Sequence, residues 1–337
     1  MYTHMKPIIS LKNIEKDFLV PKKTKEGFWH SVKSIFYREW QRTTILKNLS
    51  LDINEGEFVG YIGPNGAGKS TTIKILTGVL TPSKGTVEVC GFVPHKDRYR
   101  YAYNIGVVFG HRSLLEFDIP VIESFLLYKS IYELTDRAFN ERMKFFSRIL
   151  KIDELLHIPV RKLSLGQRMR CEIAASLLHK PKVVFLDEPT IGLDALAKEE
   201  IRDFLLKINK IEKTTIILTT HDMDDIEALC RRIIVLDDGK VIYDGTIEQL
   251  KDKYLRHKTL EFEAEKIKDA PAFKALLSKL QIMTHKGNHY SLRVDIREHD
   301  LQEILNKLLS CCEVNDLLVH EPKLEHIIQE IYSKGEA

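Results

Sequence analysis

The chain holds 337 residues, long enough for two domains of ordinary size. Hydrophobic residues at 44% and charged residues at 29% give the balance of a globular protein and exclude a disordered or fibrous one. A net charge of +3 argues against the concentrated basic face that general nucleic-acid binding needs, so no nucleic-acid partner is expected. The five cysteines, Cys90, Cys171, Cys230, Cys311 and Cys312, include no CxxC pair. They fit reduced thiols of a cytosolic protein rather than a disulfide or zinc framework. The opening "MYTHMKPIISLKN" has no apolar run of the signal-peptide kind. No stretch approaches the ~18 consecutive apolar residues of a membrane span. Any work at a membrane is therefore expected to pass through a partner.

In chain order, "IISLKNIEKDF" at 8–18 alternates in part and predicts a strand. The polar and aromatic insert "KEGFWHSVKSIFYREW" follows. As a helix it would set Phe28, Val32, Ile35 and Phe36 near one face, with Trp29 and Trp40 nearby and Lys25, Lys33 and Arg38 adding positive charge. It can be a helix packed on the protein's own β-layer, a docking face for a partner, or an interfacial helix beside lipid. "ILKNLSLDI" predicts a second strand, Gly56 a turn, and "EFVGYIG" a third strand that runs into a glycine-rich loop. "KSTTIKILTGVL" then has helical character, closed by Gly78 and the turn "TPSKG", before a strand at "TVEVCG".

Residues 120–163 read as helical. Pro120 fits a first turn with Val121, Phe125, Tyr128 and Ile131 near one face, and Thr135 with Asp136 offers a second cap before Phe139, Met143, Phe146 and Leu150. In "KLSLGQRMRCEIAASLLHK", Ser164 caps a helix with Ala174, Ala175, Leu177 and Leu178 on its apolar face. "VVFLDEP" and "TTIILTTHD" are apolar on both faces, as strands of a buried parallel sheet are. "RIIVLDDGKVIYDG" predicts a strand pair about Asp238 and Gly239, and Thr246 with Gln249 a capping box that starts a linking helix through Tyr254. From about residue 258 the order becomes strand, helix, strand, strand, helix, strand, helix, which predicts a small α+β domain of ferredoxin-like order.

"GPNGAGKST" at 63–71 has glycines that let the backbone wrap a phosphate and a helix start whose amides face it. Lys69 can reach the β- and γ-oxygens, and Ser70 can offer its hydroxyl to Mg²⁺. Asp187 and Glu188 close an apolar strand, where one carboxylate can hold a metal and its neighbour orient or deprotonate water. His221 ends the next strand, on the side of an open sheet where ligands bind. Asp194 is a competent N-cap for the helix after it. The Ser164 helix start adds a second anion-seeking site far downstream of the first.

Taken in order, "GPNGAGKST", "LSLGQ", "VVFLDEPT", "IGLD" and "TTHD" resemble the ATPase subunits of ABC transporters over residues 8–245. "GVVFG" and "IPVIESF" make the likeness greatest to subunits that serve a separate permease in drug- and polymer-exporter-type systems. The resemblance implies an α/β P-loop NTPase fold of the ABC ATPase kind, with a mixed sheet core, an antiparallel β-layer and a helical subdomain. A small α+β C-terminal domain is added. The implied map is an ATPase domain at 1–245 with the insert at 24–40 and the helical subdomain at 112–180, a linking helix at 246–257, and an accessory domain at 258–337.

The resemblance also implies roles. Gly63, Pro64, Asn65, Gly66, Ala67, Gly68, Lys69, Ser70 and Thr71 would form the Walker A loop for ATP. Ser70 and Asp187 would hold Mg²⁺, Glu188 would be the catalytic base, and His221 the switch histidine. Ser164, Gly166 and Gln167 would belong to the signature motif and Asp194 to the D-loop, completing the site of a second copy or a close paralogue in an ATP sandwich. Phe18 would stack on adenine, with Tyr37 and Trp40 as rivals. His111 stands where the family has a glutamine near Mg²⁺ and the attacking water. Histidine can keep one hydrogen bond there, and its reference pKa of ~6.5 leaves two readings: a neutral substitution, or coupling that is retained but pH-sensitive. Leu165 departs from the usual glycine.

The implied function is an ATP-hydrolysing subunit on the cytoplasmic face of a membrane, attached through a separate transmembrane permease and serving export. The alternative is a soluble ABC ATPase acting on ribosomes or DNA, which the single cassette and the lack of a long coiled-coil insertion disfavour. A non-hydrolysing regulatory subunit is disfavoured by Glu188 and His221.

Overall fold

The computed structural model describes residues 6–21, 40–110, 112–254, 257–321 and 324–334. The chain divides into two compact units, Met1–Gly245 and Thr246–Ala337. In the first, β1 (Ile9–Pro21), β2 (Trp40–Ile53) and β3 (Phe58–Ile62) lead to α1 (Lys69–Leu76), β4 (Lys84–Val89), α2 (Arg98–Ala102) and β5 (Ile105–Phe109). Then come α3 (Val121–Ile131), α4 (Asp136–Leu150), α5 (Leu165–Ser176), β6 (Val183–Asp187), α6 (Ala195–Glu212), β7 (Thr215–Thr219), α7 (Met223–Leu229), β8 (Arg232–Asp237) and β9 (Lys240–Thr246).

Two sheets result. β2-β1-β4 form an antiparallel layer. β5-β6-β7-β3-β8-β9 form the central sheet, parallel from β5 through β8. β3 and β7 are buried at every position and β6 at all but its last, because a parallel sheet is covered on both faces. Ile9, Leu11 and Leu49 of the outer layer share a core with Val59 and Tyr61 of β3 and Ile73 and Ile75 of α1. Apolar packing thus clamps the phosphate-loop helix between two sheets and fixes where its first turn points.

The middle helices follow the expected pattern with one correction. Val121 and Phe125 of α3 are wholly buried, yet Ile131 is 51% exposed, so it does not share their face toward the core. It is the last residue of α3, where the chain turns away through Tyr132. Thr135 caps α4 as anticipated, accepting from Ala138 N at 3.2 Å, and Phe139, Met143, Phe146 and Leu150 are buried beneath it.

The second unit runs α8 (Ile247–Tyr254), β10 (His257–Ile267), α9 (Ala270–Leu277), β11 (Gln281–Lys286), β12 (His289–Asp295), α10 (Leu301–Cys311), β13 (Cys312–His320) and α11 (Leu324–Lys334). Its sheet order, β11-β12-β10-β13, is antiparallel throughout and ferredoxin-like. Leu260, Phe262, Leu292 and Val294 on one sheet face pack with Phe273, Ile304 and Leu308 from α9 and α10. Thr246 and Gln249 form the anticipated capping box at 3.0 and 3.1 Å. Cys311 and Cys312 are buried free thiols at the α10–β13 junction. The anticipated amphipathic face of Phe28, Val32, Ile35 and Phe36 lies outside the described residues.

Candidate functional site

The loop from Gly63 to Lys69 takes its path because glycine stands where a side chain would collide or strain. A Cβ on Gly63 would come within 2.6 Å of Leu236 O, and one on Gly68 within 2.5 Å of Leu46 Cδ2. Gly68 and Gly66 have φ of 107° and 87°, conformations that L side chains rarely adopt. Ala67 N donates to Pro64 O at 3.2 Å, which closes the loop. α1 then begins at Lys69, a residue only 9% exposed, whose ammonium donates to Gly63 O at 2.6 Å and Pro64 O at 3.1 Å. Burial pushes that ammonium below its ordinary pKa, while Glu188 and Asp187 act the other way.

β6 delivers Asp187 and β7 delivers Thr219 to the carboxyl end of the sheet, in register as Asp187↔Thr219. Thr219 Oγ1 donates to Asp187 Oδ1 at 2.5 Å, which fixes the carboxylate. Glu188 follows with φ of 56°, and its N–H donates to Thr219 O at 2.9 Å. Its Oε1 stands 3.3 Å from His221 Nε2. Burial pushes the Glu188 carboxyl above the usual carboxylate range, opposed by His221 and reinforced by Asp187. A carboxylate with its pKa moved toward neutrality beside an imidazole is suited to accept a proton from water.

These groups line one cleft of about 600 Å³, walled by Asn65, Gly66, Gly68, Lys69, Ser70, Thr71, Asp187, Glu188 and His221. Its mouth is Phe18 and Val20 of β1 with Thr43 and Ile45 of β2, so an apolar and aromatic wall adjoins a phosphate-sized cradle. Lys16 Nζ lies 5.1 Å above the Phe18 ring. Trp40, one rival for the aromatic position, is 57% exposed at the start of β2 and does not line the cleft. Tyr37, the other, lies outside the described residues, as does His111.

The remaining candidates sit elsewhere. Ser164 caps α5: Gln167 N donates to its Oγ at 3.2 Å, and Ser164 N donates back to Gln167 Oε1 at 2.9 Å, a full capping box. Gly166 faces α6 so closely that a Cβ would meet Ala197 Cβ at 2.9 Å. Asp194 caps α6, accepting from Ala197 N at 2.8 Å. Ser164, Gly166, Gln167 and Asp194 are absent from the cleft's lining and form a neighbouring pair of helix starts instead.

Several residues of the site escaped the sequence. Thr219 looked like an ordinary strand residue, though its bond orients Asp187. Gly110 N donates to Asp187 O at 2.8 Å, and a Cβ there would meet the same oxygen at 2.9 Å. Ser113 Oγ donates to the buried Glu172 Oε1 of α5 at 2.7 Å, so two short steps of chain join the β6 edge to the Ser164 helix. Only the spacing Ser164-x-x-Gln167 was a signal that could have been taken further.

A family model described as ABC transporter matches residues 46–191, and one described as ATP-binding protein DrrA1-3-like, C-terminal domain, matches residues 245–330. Among curated proteins the chain is 31% identical over 267 residues to the uncharacterized ABC transporter ATP-binding protein YhcH of Bacillus subtilis, covering 79% of this chain and 78% of that one. It is 32% identical over 243 residues to the Nod factor export ATP-binding protein I of Ralstonia nicotianae, covering 72% and 74%. Among solved structures it matches a dimeric post-hydrolysis state of the ATP-binding cassette MJ0796 bound to ADP and Pi. There the TM-score is 0.58 and the identity 27%, over 71% of this chain and 98% of that one.

Proposed function

This chain belongs to the ATP-binding proteins of ABC transporters, and we propose on that premise that it is the ATPase subunit of an exporter, with active sites completed by a second copy. It binds and hydrolyses ATP and works with a membrane permease. No helix among the described residues is long and apolar enough to cross a membrane, so attachment at the cytoplasmic face would run through that permease. The export direction is supported by the Nod factor export relative.

The residues take these roles. The amides of residues 65–71 and Lys69 hold the triphosphate, and Lys69 exchanges its loop carbonyls for phosphate oxygens. Phe18 stacks on the base at the cleft mouth. Ser70 and Asp187 suit Mg²⁺: a hydroxyl and a carboxylate, both hard oxygen donors, line the same cleft, and Thr219 holds the carboxylate in place. The ion, when bound, offsets charge on the β- and γ-phosphate oxygens. Glu188 takes the proton of the attacking water, and His221, beside it, faces the γ-phosphate.

The observation that carries the two-copy proposal is the division of the machinery. One cleft gathers Lys69, Ser70, Asp187, Glu188 and His221, while the anion-seeking start of α5 lies outside it. A second copy supplies Ser164 and Gly166 to the γ-phosphate side, with Gln167 and Asp194 beside them. Glu188→Gln should keep ATP binding, accumulate as a dimer with ATP, and lose ~10²–10⁴ in rate. Hydrolysis at the parent rate would rule Glu188 out as the base. Copurification of a polytopic membrane protein from detergent would support the permease, and its absence alongside bound ribosomes or DNA would favour the soluble alternative.

A further inference from the structure

Glu188 holds a backbone conformation, φ 56°, that a residue with a Cβ avoids unless its surroundings impose it. Bonds bracket it on both sides. Before it, Thr219 holds both the Asp187 carboxylate and the Glu188 N–H. After it, Ile191 N reaches back to Glu188 O at 3.4 Å. Two residues on, Thr190 is 1% exposed and donates its hydroxyl to Oδ2 of Asp225. Asp225 is wholly buried on α7, four residues past His221. Arg202 of α6 takes its other oxygen, with Nε donating to Oδ1 at 2.6 Å.

Both carboxylate oxygens of Asp225 are therefore occupied, and its charge is balanced by Arg202. The same guanidinium lies 4.0 Å from Asp222, which Lys198 holds at 2.5 Å. A buried ion pair of this kind is weak evidence for stability, since packed apolar groups often serve as well. What it does accomplish is geometric. It ties the chain leaving β6 to the chain after β7, the two segments whose side chains meet as Glu188 and His221. None of Thr190, Arg202 and Asp225 lines the cleft.

We propose that Thr190, Asp225 and Arg202 form a positioning latch: Asp225 grips Thr190 and so holds the Glu188 carboxylate at His221 and the attacking water. The latch rests on Glu188 being the base. Chemistry tolerates little misplacement of a reacting group, so losing the grip should act on kcat and leave nucleotide binding alone.

The test uses full-length protein, steady-state phosphate release and fluorescent-nucleotide binding. Thr190→Val keeps the side chain's shape and removes the hydroxyl; it should lower kcat by roughly 10- to 100-fold. Its nucleotide affinity should stay within about twofold, the signature of a loss confined to the reacting state. Thr190→Ser, which restores the hydroxyl, should recover the parent rate. Asp225→Asn should resemble Thr190→Val, and Thr190→Val carries the test if the Asp225 variant fails to fold. In a Glu188→Gln background, Thr190→Val should cost nothing further. The latch is overturned by a parent rate in Thr190→Val, by Thr190→Ser being equally slow, or by an undiminished loss in the Glu188→Gln background. A parent rate in Glu188→Gln alone would overturn the base assignment itself, without recourse to any latch variant.

Discussion

Replacing Ser164 separates two roles that one side chain combines. As a helix cap, its Oγ accepts from Gln167 N at a rather long 3.2 Å, while the reciprocal bond from Ser164 N to Gln167 Oε1 at 2.9 Å needs no serine side chain. Ser164→Ala should therefore fall at the low end of cap losses, about 0.5–1 kcal/mol. In a unit the size of Met1–Gly245 that is a Tm drop of roughly 1–4 °C. Ser164→Asp should cost nothing in stability, because aspartate caps as well as serine and its charge suits a helix N-terminus. As part of a second copy's ATP site, the two variants should rank the other way. Alanine loses one hydrogen bond to a charged phosphate, about 1.5–3 kcal/mol or roughly 10- to 100-fold in rate. Aspartate sets like charges together; at 4 Å and an effective dielectric of 20 that is about 4 kcal/mol, roughly a thousandfold. Scanning fluorimetry, nucleotide binding to the monomer and phosphate release would be read on the same samples. A Ser164→Asp protein that melts like the parent, binds ATP like the parent and still hydrolyses it at the parent rate would refute the shared site.

Three other predictions concern titration. Burial raises the Glu188 pKa and His221 opposes the rise, so the acid limb of kcat/KM should lie above the ordinary carboxylate value of ~4.3. His221→Gln should move that limb to higher pH, and a limb that stays or falls would contradict the pairing. His179, stacked on Tyr132 at 3.7 Å and bonded to Ile105 O at 2.9 Å, is pushed down by burial to about 4. Its folded pKa is below the unfolded ~6.5, so its contribution is complete above 6.5 and is lost as pH falls toward 4, on the order of 2–3 kcal/mol. His179→Phe should flatten thermal stability across that window, and an unchanged slope would contradict it. Glu172, buried and bonded to Ser113, has its pKa raised by burial against the pull of Ser113 and Arg168. A raised carboxylate favours folding below its unfolded value and loses that advantage as pH rises through the folded one. Glu172→Gln should melt higher than the parent at neutral pH, with the gap closing in acid, and a lower Tm at neutral pH would count against this balance.

The glycine loop, the acidic strand end and the histidine were legible because each is a short run whose chemistry is local. The burial of β3, β6 and β7 was legible because a two-sided core needs an unbroken apolar run. What escaped was set by contacts distant in sequence. Thr219 differs from a plain strand threonine only through its register opposite Asp187. The left-handed conformation of Glu188 has no signature in a non-glycine residue and depends on Thr219 and its neighbours. Periodicity put Ile131 with Val121 and Phe125, but a helix's last turn need not stay on the packed face, and here it is exposed. That Phe18 and not Trp40 lines the cleft mouth depends on the β1–β2 register, which brings Phe18 opposite Thr43 and Trp40 opposite Pro21.

The central claim is that each active site takes Lys69 from one copy and Ser164 from another, and mixing two disabled variants tests it most directly. Lys69→Ala and Ser164→Asp proteins should each be nearly inactive alone. Pairing one of each rebuilds a single site with the intact Lys69 of one copy and the intact Ser164 of the other. Mixed at equal amounts with ATP, they should recover roughly a quarter of the parent rate, since half of random pairs are mixed and each holds one whole site of two. A mixture no more active than the sum of its parts, from proteins shown to exchange partners, would contradict the account.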